Sequence, residues 1–215
     1  MKTGRRWSAS SDLLSIFLTL IWKFELASEA RDTLNAKLLA ALDKLRPSPS
    51  ARAPAQGWQS HHGLHTLDEL AGLVTYINEA VGAVLKFLKI GYDDFQITGC
   101  WANLNPPGAS HRIHSHPKNF LSGVYYVRTQ PDADTINFHD PRIQAGIIRP
   151  PVTELTGENT DQVVVKVDAG SLLVSGLPAA LGRPQPQPGG ADQYQLQRHV
   201  LGVHRTPQQA LVVEG

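Results

Sequence analysis

Residues Pro106–Val127 read PPGASHRIHSHPKNFLSGVYYV, and the fold turns on how they are read. Three histidines, His111, His114 and His116, fall within six residues, after a Pro-Pro-Gly turn and before the alternating run Leu121–Arg128, which has the pattern of a strand. Side chains two apart on an extended segment share a face, so His114 and His116 point the same way and His111 is out of phase. Two imidazoles on one face can converge on one ion, and imidazole suits iron, zinc, copper or nickel. The same spacing also suits a pair of solvated histidines at a strand end.

Working outward, the alternating period recurs at Phe95–Leu104, Arg112–His116, Thr135–His139, Val163–Val167 and Ser171–Val174, short strands separated by Gly, Pro, Asp and Asn turns. The chain before Gly91 is helical in period. Leu34, Leu38, Leu42 and Leu45 line one face of a helix over Ser28–Arg46, which stops at Pro47. Pro47–Gly57, PSPSARAPAQG, is a loop that cannot bury much surface. Thr66 and Glu69 have capping-box spacing ahead of a second helix whose apolar side is Leu70, Leu73, Val74, Ile77, Val81 and Leu85, with Gly91 as its stop. Helices first and many short strands after predict an α+β chain whose second part is a sandwich or barrel. The expected division is a strand and helical region over 1–92, a β core over 93–174 and an aberrant Pro/Gln-rich tail over 175–215, all built on one domain.

At 215 residues one core is the expectation. A formal charge of +1 without a basic run gives no footprint for nucleic acid. Cys100 is the only cysteine, which excludes an intramolecular disulfide framework and a thiolate zinc cluster and suits a reducing cytoplasm. Basic residues followed by the apolar run Leu13–Trp22 imitate a secretory signal, but Lys23 and Glu25 follow at once. The run is too short to span a bilayer and is read as a buried first strand, so no membrane partner is expected.

Two histidines with a third facial ligand from a distant strand form the arrangement used by non-haem Fe(II) oxygenases. Gly108 and His114-x-His116 also match the opening of the cupin motif, though the glutamate that should follow is missing, which leaves a cupin-like metal or small-ligand binding module as the alternative. Trp58–Ser60 (WQS), Trp101–Gly108 (WANLNPPG), His114–Pro117 (HSHP), Ser122–Val127 (SGVYYV) and Phe138–Arg142 (FHDPR) occur in one order. Together these motifs resemble a family of 2-oxoglutarate/Fe(II)-dependent oxygenases of bacteria and phages, over about Leu20 to Val174. The resemblance implies a double-stranded β-helix (jelly roll), Fe(II) held by His114 and His116, 2-oxoglutarate as co-substrate, and oxidation of a small-molecule or other substrate that the sequence does not identify. Asn103 and Tyr126 are candidates to hydrogen-bond the co-substrate. Trp58, Trp101 and Tyr125 are expected in the core, and Asp140 in a turn.

The family pattern should continue after AGSLLV with F-P-x-x-L-x-H-x-V-x-P-N and then R-I-S-I-S-F-N, which carry the distal iron-binding histidine and an arginine that pairs with the co-substrate carboxylate. Neither is present in residues 175–215, where the last strands are expected to be missing or aberrant. Reading each codon from Val174 onward at its second base permits Phe-Pro at 174–175, His at 180, Val-Asp-Pro-Asn at 182–185 and Arg-Ile-Ser-Ile-Ser-Phe-Asn at 191–197. A frameshift near codon 174 is the reading that follows, with an enzyme impaired in this chain, and a genuine Pro-rich flexible extension is the alternative; His199 and His204 are replacement ligands in type alone.

Overall fold

The computed structural model describes residue 13 and residues 15–46, 57–105, 113–114, 119–129, 134–142, 147–176, 180–182 and 193–201, the last two as backbone. In chain order the elements are β1 (Ile21–Glu25), α1 (Ser28–Leu45), β2 (Trp58–Gln59), two single-turn 3₁₀ segments (Leu64–Thr66 and Asp68–Leu70), α2 (Ala71–Phe87), β3 (Gln96–Asn105), β4 (Leu121–Arg128), β5 (Thr135–His139), β6 (Gln162–Lys166), β7 (Ser171–Gly176), β8 (Ala180–Gly182) and β9 (Gln193–Leu201). They form a six-stranded sheet of order β1-β7-β4-β9-β3-β2 and a three-stranded sheet of order β6-β5-β8. Every pairing between these strands is antiparallel.

Alternation along each strand builds two cores from one sheet. Cys100, Ala102 and Leu104 of β3, Leu121, Tyr125 and Val127 of β4, and Leu172 and Val174 of β7 pack under the helices with Leu38 and Leu42 of α1 and Leu73, Ile77, Val81, Val84 and Leu85 of α2. Their neighbours in sequence, Val124, Tyr126 and Leu173, face the other way and meet Ile136 and Phe138 of β5 and Val167 in a smaller cluster between the sheets.

Several expectations are corrected. The apolar run ahead of Trp22 is not a buried strand: Phe17 is 90% and Leu13 88% exposed. Pairing with β7, Ile21 opposite Ser175 through Glu25 opposite Ser171, sets where β1 lies. Leu45 stands exposed at the end of α1, and Asn35 takes a place on its buried face. The capping box does not form, because the Thr66 hydroxyl donates back to the Gly63 carbonyl and α2 starts after the second 3₁₀ turn. Gly91 is not the stop: Lys89, with φ +53°, takes the left-handed position. Its N–H donates to Lys86 O and that of Ile90 to Leu85 O, the paired bonds of a Schellman motif. The tail is not without strands, since β8 and β9 lie in it, and β9 occupies a central slot between β3 and β4. The strand expected at Arg112–His116 lies mostly outside the described residues.

Candidate active site

The face of the six-stranded sheet turned away from the helices carries the polar groups. On β3 it presents Trp101, Asn103 and Asn105, all buried, with Asn103 only 5% exposed. Asn103 lies opposite Gln59 of β2 on one side and Gln195 of β9 on the other. Tyr126 of β4, 1% exposed, lies opposite the same Gln195. Directly opposed residues of antiparallel strands project to one side, so Gln59, Asn103 and Tyr126 belong to one row across the sheet. Two residues singled out by sequence, 23 positions apart, are thereby brought together through a strand that sequence did not foresee.

The edge of this row is stapled to β3 over five residues. Beyond the β2 pairing, Ser60 N donates to Ala102 O at 3.0 Å, Ala102 N donates to the Ser60 hydroxyl at 2.9 Å, and Cys100 N donates to His62 O at 2.8 Å. The WQS sequence is thus an edge strand in which a serine side chain stands in as a backbone acceptor. It holds His62 with its ring stacked on Trp101, centroids 4.4 Å apart and planes within 16°, and with Nε2 2.9 Å from Gln59 Nε2. Sequence reasoning missed Gln59 and His62. The available signal was phase, since Trp58 packs against the helix-backed core and its successor must therefore face the opposite way. Trp58 and Tyr125 join that core and Trp101 is buried, as expected, Trp101 on the polar face of the sheet.

Tyr126 is fixed by its backbone. Its carbonyl accepts from Gly170 N at 2.7 Å. The next carbonyl, of Val127, accepts from the Asn35 amide at 2.8 Å, and the Tyr125 hydroxyl donates to Asn35 Oδ1 at 2.6 Å. Burial raises the Tyr125 phenol well above its ordinary range, with the neighbouring Tyr76 adding to the shift. Burial likewise pushes Tyr76 up to about 12, helped by the charges of Glu25 and Glu79. Both phenols therefore stay neutral at physiological pH.

His114 is half-buried in extended backbone. His116 and His111 lie outside the described residues, as does the HSHP motif beyond Ser115's predecessor. Among the described residues no three His, Cys, Asp or Glu side chains are grouped to hold a metal. Asp140 is a turn residue: its carboxylate accepts from the backbone N–H of Arg142 at 2.9 Å and from two nitrogens of the Arg142 guanidinium.

Residues 99–178, which hold β3 to β7, match the family model described as "Putative 2OG-Fe(II) oxygenase". No curated protein matches the sequence. A prolyl-4-hydroxylase of Pseudomonas putida is similar in structure, with 16% identity, TM-score 0.55, and 83% of this chain and 91% of that one covered. HygX of Streptomyces hygroscopicus, solved with nickel and 2-oxoglutarate bound, is 12% identical with TM-score 0.56, covering 85% of this chain and 82% of its own. The viral collagen prolyl hydroxylase of Paramecium Bursaria Chlorella virus-1, solved as a 2OG complex, is 11% identical with TM-score 0.51, covering 84% and 94%. At these identities the likeness is one of fold. It is the 2-oxoglutarate/Fe(II) oxygenases that this chain resembles, in sequence over its central strands and in fold over most of its length.

Proposed function

We propose that the chain is the scaffold of a 2-oxoglutarate- and Fe(II)-dependent dioxygenase, a double-stranded β-helix in which 2-oxoglutarate is held at the Asn103–Tyr126 row and the metal at His114 and His116. The observation that carries this reading is the row itself: an amide and a phenol, both buried, opposite one residue of β9 on the face between the sheets. Both side chains can donate hydrogen bonds to the oxygens of a small keto acid. When bound, Fe(II) and 2-oxoglutarate together supply an oxidant for a C–H bond of a second substrate. Asn103 and Tyr126 orient the co-substrate, and the surrounding apolar cluster excludes water from it.

The fit is incomplete on the metal side. His114 lies among the described residues and His116 outside them, and the sequence of residues 175–215 lacks the distal histidine and the arginine that the family pattern carries there. As written, β9 sets Arg198 opposite Cys100 and Gly123, in a row that belongs to the helix-backed core. The shifted frame places residues of matching character along the same strand. It allows isoleucine at position 194 and phenylalanine at 196, opposite Leu104 and Ala102 in that same core, with serine at 193 and 195 and asparagine at 197 in the rows of Asn105, Asn103 and Trp101. This agreement of parity supports a chain whose dioxygenase function is impaired by loss of the distal histidine and the arginine. The single buried cysteine is in keeping with a reducing cytoplasm.

The test is an anaerobic titration with Fe(II) and 2-oxoglutarate, on the chain as written and on the chain encoded by the shifted frame. The corrected chain is expected to show a 2-oxoglutarate-dependent charge-transfer band and, on admitting oxygen, succinate; the chain as written is expected to show a much weaker band. Metal binding without a response to 2-oxoglutarate in the corrected chain would favour the cupin-like module. If no single-base change near codon 174 opens such a frame, the impairment argument fails.

A further inference from the structure

The buried side of α1 is apolar except at Asn35, which is 8% exposed and packed among Leu38, Ala41 and Leu42. Its amide is fully oriented by its partners. Val127 O can only accept, so Nδ2 must face it, and Oδ1 is left to accept from the Tyr125 hydroxyl. The two bonds grip β4 on both sides of Tyr126. The grip falls where the strand is irregular: the register with β9 shifts between Tyr126, opposite Gln195, and Arg128, opposite Tyr194, leaving Val127 out of the pairing. An unpaired residue in a strand bends it and re-aims the side chains beside it, and its backbone groups need other partners. Asn35 supplies one for the Val127 carbonyl, while Gly170 N holds the carbonyl of Tyr126 itself.

We propose that Asn35 is a positioning residue for Tyr126: from the helix layer it fixes the bulge that aims this phenol into the space between the sheets. The functional weight of the claim rests on the proposed role of Tyr126 toward 2-oxoglutarate; the geometric part does not. Tyr125 is the second half of the device, since its hydroxyl holds Asn35 in the orientation that lets Nδ2 reach Val127.

The experiment is ¹⁹F NMR of protein labelled with 3-fluorotyrosine, in which each of the five tyrosines gives a resonance and Tyr126→Phe assigns the one of interest. Asn35→Leu, which removes both bonds at similar volume, is expected to shift or broaden the Tyr126 resonance. Asn35→Asp keeps an acceptor for Tyr125 but, ionised, has no donor for Val127 O; it should move the Tyr126 signal as well. Tyr125→Phe, which keeps the ring and its packing, gives a smaller shift in the same direction and covers the case in which the helix variants do not fold. Leu38→Ala loosens the same helix–sheet contact without touching these bonds and is expected to leave the Tyr126 signal in place. An unchanged Tyr126 resonance in the Asn35 and Tyr125 variants, or an equal shift in Leu38→Ala, overturns the proposal. Calorimetric titration with 2-oxoglutarate and Mn(II) of the same variants made in the chain encoded by the shifted frame reads the functional half: Asn35→Leu should weaken binding roughly fivefold to tenfold, the loss of about one hydrogen bond. If the chain encoded by the shifted frame also binds no 2-oxoglutarate while the fluorine signals behave as expected, the dioxygenase reading fails and the positioning role stands.

Discussion

The two faces of the six-stranded sheet are made from the same strands and do opposite things. Along β3, Cys100, Ala102 and Leu104 turn to the helices while Trp101, Asn103 and Asn105 turn to the second sheet. Along β4, Tyr125 and Val127 pack under the helices and Val124 and Tyr126 do not. The helix-backed face is a continuous apolar layer in which even the Tyr125 hydroxyl is bonded; the inter-sheet face keeps amides, a phenol and a stacked imidazole next to a small apolar cluster. Stability is therefore expected mainly from the first face and, under the proposed function, ligand binding from the second, and substitutions of adjacent residues should separate the two.

The largest effect is expected on the helix-backed face. Leu172→Ala empties a side chain that is 1% exposed, in a strand held between β1 and β4, and should cost about 2–5 kcal/mol in urea unfolding. A loss no greater than that of an exposed leucine would mean that this layer is not the core. Next comes the hinge between the faces. Gly170 has φ +95°, and a Cβ placed there would stand 2.7 Å from the Arg31 side chain. Gly170→Ala should cost about 1–3 kcal/mol from backbone strain and the displaced arginine, and should also loosen the bond to Tyr126 O. A neutral result would show that the turn relaxes freely.

On the inter-sheet face the expected change is in binding. Tyr126→Phe keeps the ring and should change stability by less than about 1 kcal/mol while weakening 2-oxoglutarate roughly tenfold, one hydrogen bond's worth. Asn103→Ala should act in the same direction. Equal losses of stability and binding in both variants would break the division between the faces, because the row would then be structural.

Much of this contrast was legible in the sequence, for local reasons. β4 and β5 carry strong alternation between turn residues, so Leu121–Arg128 and Thr135–His139 form as expected, and α1 follows from its leucine spacing. What was not legible depends on partners distant in the chain. Phe17 and Leu18 look like strand residues, yet strand pairing with β7 begins only at Ile21. Lys89 ends α2 because the two Schellman bonds outweigh the modest cost of one left-handed residue, which no residue-type signal announces. β9 has a Gln-rich sequence of low strand propensity, but it lies between β3 and β4, whose backbone groups need a partner there, and tertiary context overrides propensity. At the site, the identities of Asn103 and Tyr126 could be singled out, whereas their common row, and the shelf carrying Gln59 and His62, required the register. His114 is described as half-buried and His116 is not described, so the metal pair is carried by the sequence alone.

The smallest predicted effect lies at the far end of β5, away from both faces' main layers. Asp140 accepts two hydrogen bonds from the Arg142 guanidinium and one from its backbone N–H, and these hold its carboxyl below the usual carboxylate value. A carboxyl whose folded value is depressed stabilises the fold above its unfolded value and loses that contribution as pH falls through the folded one. The Arg142 side chain is 69% exposed, so solvent screening keeps the ion pair's share small, and the backbone N–H bond of the turn is the more durable part. Asp140→Asn retains an oxygen for that N–H and removes the charge together with the acceptor of the second guanidinium bond. Unfolding curves of the two proteins should therefore differ slightly at neutral pH, begin to approach each other as the pH falls below the ordinary carboxyl value of 3.8, and converge once the pH has passed the lower folded value, where Asp140 itself becomes neutral. A difference that persists undiminished in acid would assign the effect to packing, and would remove the electrostatic account of how the FHDPR turn is held.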